Sequence, residues 1–215
     1  MDIITANAFI DWDSARRVVQ PPWKNGAQDV SLRERTKYVE ACFNELQVRT
    51  ARALEACDLN FPVKVALSRV YHGWHRGKTP TDDRKAWEQA RTLVRAFTTK
   101  KLSYLPDISF GDAMLCGGLR MPLLDTLRSR DDGHDQQKMV DTSLVADLLC
   151  YCRNESSNFR KGKPPMSMAI IVGNDDDLLP GSFAAESWGL PVRVLRINRA
   201  GESRFLKLDR LVYSL

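Results

Sequence analysis

Residues Ala169-Ile-Ile-Val-Gly-Asn-Asp-Asp-Asp-Leu-Leu-Pro180 constrain the fold more than any other stretch of this chain. A short run of β-branched and apolar side chains, with no polar alternation, reads as a strand buried on both faces of a sheet. It ends abruptly in Asp175, Asp176 and Asp177. In open α/β sheets the C-terminal edge of the strands is where ligands and catalytic groups gather. Nothing in the run neutralises three adjacent carboxylates. A hard divalent cation, which prefers several oxygen ligands, would offset their repulsion. For this run alone, a solvated acidic turn is the alternative.

The pattern recurs near the N-terminus, where Ala8-Phe-Ile-Asp-Trp-Asp-Ser14 is a short apolar strand followed by Asp11 and Asp13. A third acidic segment is Gln137-Lys-Met-Val-Asp-Thr-Ser-Leu-Val-Ala-Asp-Leu-Leu149, in which Asp141 precedes an apolar helical stretch. Taken alone, Asp141 suits a helix N-cap, its carboxylate bonding free backbone N–H groups of the first turn. Asp147 lies about 120° around the helix from position 141. It need not share a site with Asp141, and suits either outer support or an exposed face.

Together these segments resemble the NYN branch of the PIN-like nuclease superfamily. Phe9-Ile-Asp-Trp-Asp-Ser14 resembles that family's first strand with its aspartate, here Asp11. Lys138-Met-Val-Asp141, with Leu144-Val-Ala-Asp147 after it, resembles the family's Lys-Gly-Val-Asp helix start. Gly173-Asn-Asp-Asp-Asp-Leu-Leu-Pro180 resembles its Ser-Gly-Asp-Ser-Asp-Phe-x-Pro strand end, with Asp175 and Asp177 as the paired aspartates. Gly189-Leu-Pro-Val-Arg-Val194 fits the strand that follows. Order and spacing agree over nearly the whole chain. The departures are Ser14 in place of Asn, Met139 in place of Gly, and Gly173-Asn174 in place of Ser-Gly. They bear on efficiency and substrate choice more than on the matched carboxylates.

The length of 215 residues suits one compact domain spanning 1–215. No apolar run approaches the roughly 20 residues of a membrane helix. The N-terminus carries Asp2 and shows no basic segment followed by an apolar one, so no secretory signal is visible and a cytoplasmic location is expected. Five cysteines lack a disulfide-framework spacing. Cys150-Tyr-Cys152 and His72-Gly-Trp-His75 lack a usual zinc-ligand spacing, and the cysteines read as small core hydrophobes. No Cys-His or Ser-His-Asp set suits acyl transfer. The net charge of +5 is modest. With the inferred site acidic, the positive excess lies elsewhere, and a basic surface around an acidic metal centre is what hydrolysis of a polyanion requires.

Ser31-Leu-Arg-Glu34 has the capping-box pattern and predicts a helix through about residue 58. Phe61 to Tyr71 is the next strand. The segment from His72 to Thr81 then reads as a glycine-containing loop with Tyr71, Trp74, Arg76 and Lys78, at the same strand-end edge as the aspartates. Cations for phosphates and rings for bases suit single-stranded nucleic acid, although an ordinary polar loop fits equally. Gly77-Lys-Thr79 lies one residue too close to Gly73 for a nucleotide-binding P-loop. Thr79-Pro80 offers a cap and first-turn proline for a basic helical segment around 80–101. There Trp87, Ala90, Val94 and Phe97 make the apolar stripe, and Arg91 and Arg95 are among the positive charges. Ile108-Ser-Phe-Gly111 and Pro122 to Leu127 are strand-like, Cys116-Gly-Gly118 reads as a turn, and Arg128 to Asp135 as an exposed loop. Val192 to Ile197 is another strand, Asn198 to Glu202 a turn, and Phe205 to Leu215 a final strand or short helix. Alternating strands and helices predict an α/β fold with a mostly parallel sheet covered on both sides. The resemblance implies the three-layer αβα sandwich of PIN-like proteins.

The resemblance further implies a metal-dependent ribonuclease, classed as an endoribonuclease, although the residues leave endo- against exonucleolytic action open. Asp11, Asp141, Asp175 and Asp177 would be the catalytic and metal-holding set, for one or two Mg²⁺ or Mn²⁺ ions. Asp13, Ser14, Asp147 and Asp176 would orient water or support the ligands. Arg76, Lys78, Lys138, Arg91 and Arg95 would contact RNA that is single-stranded or has unpaired segments. The competing hypotheses are a non-catalytic RNA-binding module on the same fold and a hydrolase of small phosphoesters. Oligomeric state stays open, a homo-oligomer included.

Overall fold

The apolar runs become neighbouring strands. β1 (Ile4–Asp11) leads into the helical turn α1 (Trp12–Ala15), the long α2 (Leu32–Glu55) and β2 (Val63–Tyr71). A small hairpin follows, β3 (His75–Arg76) with β4 (Thr79–Pro80), and then α3 (Asp82–Ala90). β5 (Phe97–Thr98), β6 (Leu102–Tyr104) and β7 (Ile108–Phe110) come next, with two further hairpins, β8 (Ala113–Met114) with β9 (Met121–Pro122) and β10 (Leu127–Ser129) with β11 (Asp135–Gln137). The last third is α4 (Val140–Ser157), β12 (Ser167–Val172), α5 (Leu179–Ser187), β13 (Val192–Arg196) and β14 (Val212–Ser214). This computed structural model describes residues 2–23, 30–57, 59–115, 121–157, 166–197 and 211–215. The expected turns at 116–118 and 198–202, and most of the segment 205–215, lie outside the described residues.

Eight strands form the main sheet, in the order β14-β13-β12-β1-β2-β6-β5, with β7 also pairing with β2. Every pairing in it is parallel except β5 with β6. The fold is therefore α/β with a mostly parallel central sheet flanked by helices. Side chains alternate between two cores, as the two-residue period of a strand requires. Ile4, Ala6, Ala8 and Ile10 of β1, with Met168, Ile170 and Val172 of β12, pack with Val39, Phe43 and Leu46 of α2 and Trp87 of α3. Phe9, Ala169 and Ile171 face the other way, toward Leu144 and Leu148 of α4 and Leu179 and Ala185 of α5. This double burial is why β12 reads as an unbroken apolar run.

α2 and α3 begin where their caps dictate. Ser31 accepts from the Glu34 backbone N–H at 3.3 Å, and the Glu34 carboxylate accepts from the Ser31 N–H at 3.1 Å, a complete capping box. Thr81 caps α3, accepting from Arg84 N–H at 3.3 Å. This corrects the expectation of a cap at Thr79 followed by a first-turn Pro80: both residues belong to β4 and pair with β3. The basic helix is also shorter than expected. It stops at Ala90, and the chain turns so that Val94 stays in the core while Phe97 starts a strand. The expected strand from Pro122 to Leu127 is mostly irregular, and Arg128 to Asp135 is no simple loop but the centre of the β10–β11 hairpin. Among the described residues, no helix is long and apolar enough to cross a membrane.

The four described cysteines carry no disulfide. Burial pushes the Cys42 and Cys152 thiols up to about 12, as expected of small hydrophobes held away from solvent.

Candidate active site

Strand order reverses at β1. The chain leaves β1 for β2 on one side and returns after α4 as β12 on the other. Parallel pairing brings the C-terminal ends of all three strands to one edge, with Asp11 beside Tyr71 and Ile10 beside Val172. Crevices of this kind, where connections diverge to opposite faces, are the usual ligand sites of open α/β sheets. Here the crevice is an open cleft of about 470 Å³, lined by Asp11, Asp13, Ser14, Asp141, Asn174 and Asp175 among others.

Asp11 is buried at 7% exposure. Burial drives its carboxyl pKa upward, opposed by a hydrogen bond from Ser14 and raised further by the charge of Asp13. One oxygen also accepts from the Asp13 backbone N–H at 3.1 Å, capping α1. Ser14 donates to the other oxygen and accepts from the Asn174 backbone N–H at 3.1 Å, which ties the β1 and β12 ends together. Gly173 leaves room for buried Leu178 beside the site: a Cβ there would stand 2.7 Å from Leu178 Cδ1.

Asp141 stands in the first turn of α4. The expected N-cap position belongs to Met139 instead, whose carbonyl accepts from Ser143 N–H at 2.9 Å. The Asp141 pKa is pushed up to about 6, first by burial in the cleft and then by the carboxylates of Asp11, Asp175, Asp177 and Asp13. The residue is exposed overall, so solvent screens part of this effect. These carboxylates nonetheless converge from three separate segments. Asp175 accepts from the Asp177 backbone N–H at 2.9 Å. Asp177 does not line the cleft itself, and Asp176 turns away to pair with buried Arg196 at the end of β13.

Asp13 is the hub of a second network. It pairs with Arg16 at 2.5 Å, accepts from Gln137 of β11, and lies 3.7 Å from His72. His72 bridges to Asp83 of α3 at 3.0 Å, and Asp83 also meets Arg16 and Arg35. Arg17 and Gln137 line the cleft too. Gln137, His72 and Asp83 come from three segments with no shared spacing, so sequence reading missed them as partners of the site. Only His72 carried a signal, as a histidine just past a strand end.

Asp147 is not at the cleft. It is 2% exposed and accepts from Arg69 Nε at 2.8 Å, Tyr71 OH at 2.9 Å and Leu115 N–H at 3.1 Å. Of the expected RNA contacts, Arg76 and Lys78 sit exposed on the β3–β4 hairpin, with Arg76 paired to Asp135 at 2.6 Å. Lys138 is half-buried between two cleft-lining neighbours, Gln137 and Met139. Arg91 lies over the Phe110 ring and Arg95 follows α3; neither lines the cleft.

Hard carboxylate oxygens whose mutual repulsion raises one pKa match a divalent cation in chemistry. Among the described residues, however, no three or more His, Cys, Asp or Glu side chains are arranged to hold a metal ion as they stand. Comparison with protein-family models, with curated proteins and with solved structures gives no match.

Proposed function

We propose that this chain is a metal-dependent ribonuclease of the NYN type, on a three-layer αβα PIN-like sandwich. The observation that carries the reading is the convergence of Asp11, Asp141 and Asp175 at the strand-order reversal, with Asp177 close enough for its charge to act on Asp141. Asp11, Asp141, Asp175 and Asp177 would hold Mg²⁺ or Mn²⁺, which when bound lowers the pKa of a coordinated water and offsets charge on phosphate oxygens. Ser14 holds the Asp11 carboxylate in place, and Asp13 holds Gln137 at the rim while pairing with Arg16 beside it. Arg17 on the same rim gives a phosphate a positive partner.

A second reading, an RNA-binding module without catalysis, draws on one observation. The Asp11 carboxylate already accepts from the Ser14 hydroxyl and from the Asp13 backbone N–H. Incubation of labelled single-stranded RNA with Mn²⁺ or Mg²⁺ separates the two. Wild type is expected to cleave, while Asp11→Asn, Asp175→Asn and an EDTA control do not. Equal cleavage by all of them would overturn the acidic site, and RNA binding without cleavage would favour the module.

A further inference from the structure

The short helical segment from Trp12 to Val18 separates two cavities. Asp13, Ser14 and Arg17 face the acidic cleft, while Trp12, Arg16 and again Arg17 face a neighbouring pocket of about 500 Å³. The rings of Trp23 and Tyr38 meet edge to face in that pocket, with centroids 4.9 Å apart. Tyr38 is fixed there, its hydroxyl within 2.7 Å of the Arg16 carbonyl and 3.1 Å of the Val19 carbonyl. Arg16, Arg17 and Arg35 line the pocket, three guanidinium groups against the carboxylates of Asp83 and, on Arg16 at 2.5 Å, Asp13. The acid in its lining is Asp83, whose charge is offset by Arg16 at 3.3 Å, Arg35 at 3.4 Å and the His72 ring.

We infer that this pocket takes one unpaired nucleobase of an RNA strand, the nucleotide adjacent to the phosphate in the acidic cleft. The inference rests on the ribonuclease reading above and gives that site its substrate form. Three features support it. The volume lies within the range of small-molecule sites, about 300–1,000 Å³. Aromatic rings bind any base by its π-face, and arginines beside them meet the backbone. Arg17 borders both cavities, so one strand can run from the pocket into the cleft past a single cation. A base-paired nucleotide would first have to leave its stack, which selects for single-stranded RNA.

The test uses full-length protein carrying Asp175→Asn, which keeps RNA intact, and a fluorescently labelled single-stranded hexamer. Affinity is read by anisotropy for the parent RNA and for six versions, each lacking the base at one position. One position is expected to matter most, its base removal weakening binding about tenfold. Adding Trp23→Ala should weaken the parent RNA by a similar factor and abolish the penalty at that position, since the two losses are then one interaction. Trp23→Phe, which keeps a ring, should restore most of the affinity, and thermal melting confirms that each variant is folded. A base-removal penalty that is the same with and without Trp23 overturns the pocket while leaving the ribonuclease reading intact. Absence of RNA binding by folded protein overturns both.

Discussion

Ser14 donates its hydroxyl hydrogen to the Asp11 carboxylate, three residues back on the same turn. The same oxygen accepts from Asn174 N–H across the strand boundary, so one small side chain positions two walls of the cleft. Ser14→Ala leaves a buried carboxylate short of one donor and a backbone N–H short of its acceptor. The expected loss is about 1–3 kcal/mol of stability, measured by urea unfolding. The Asp11 pKa should rise further, because the Ser14 bond is the largest influence holding it down. A variant as stable as wild type would show that water replaces the hydroxyl.

Asp83 sets an acid limit on the fold. Burial alone would raise its pKa, but the His72 hydrogen bond and the charges of His72, Arg16 and Arg35 outweigh it and hold the carboxyl at about 2. A carboxylate whose pKa is depressed on folding stabilises the protein above its unfolded value, near 4, and that stability is lost as pH falls toward 2. The shift corresponds to about 2 kcal/mol. Asp83→Asn should therefore lower stability at pH 7 and flatten the fall in unfolding free energy between pH 4 and pH 2. An unchanged acid limb would assign that fall to other carboxylates.

Met139 occupies the left-handed region, with φ of 64°, at the position before α4 begins. That conformation costs an L-residue about 1–2 kcal/mol, part of which glycine gives back through its freer unfolded chain. The side chain is 43% exposed, so little packing is at stake. Met139→Gly should be neutral to stabilising by up to about 1 kcal/mol, and Met139→Val clearly destabilising, by thermal melting.

Much of the fold was legible because local signals agreed with burial. The run from Ala169 to Val172 is buried on both faces, and Ser31 with Glu34 form the capping box their spacing announced. The α3 region was not legible in the same way. Trp87, Ala90 and Val94 keep helical spacing and are all buried, yet no glycine or proline marks the stop after Ala90. Periodicity reports which residues face the core and is silent on where the backbone changes direction. In the site, strand ends carried Asp11 and Asp175, because an apolar run ending in carboxylates is a local pattern. Gln137 and Asp83 reach the network only through tertiary pairing, by way of the β10–β11 hairpin and the His72 bridge.

Asp147 tests the boundary of the site. It and Arg69 form a buried ion pair, 2% and 8% exposed, with Tyr71 completing it. Removing one partner of such a pair costs about 3–5 kcal/mol, because the other charge is left buried. Asp147→Asn should destabilise by that order, while replacing both with Arg69→Met and Asp147→Leu should recover part of it. Cleavage per folded molecule is expected to stay at the wild-type level in any variant that remains folded. A selective loss of cleavage would bring Asp147 back to the site.

Divalent ions test the acidic cleft without any RNA. A ligand that binds only the folded state stabilises it by about 2.7 kcal/mol at one hundred times its dissociation constant. Mg²⁺ or Mn²⁺ should therefore raise the melting temperature beyond what KCl does at equal ionic strength, since KCl only screens the repulsion around Asp141. Asp11→Asn and Asp175→Asn should lose that specific increment. Asp175→Asn should also melt somewhat higher than wild type without divalent ions, because it removes a charge that presses on Asp141 while an amide oxygen can still accept from Asp177 N–H. Asp176→Asn should keep the increment, its carboxylate being turned toward Arg196. If Mg²⁺, Mn²⁺ and KCl all act alike, the carboxylates are a solvated acidic edge and the binding-module reading prevails.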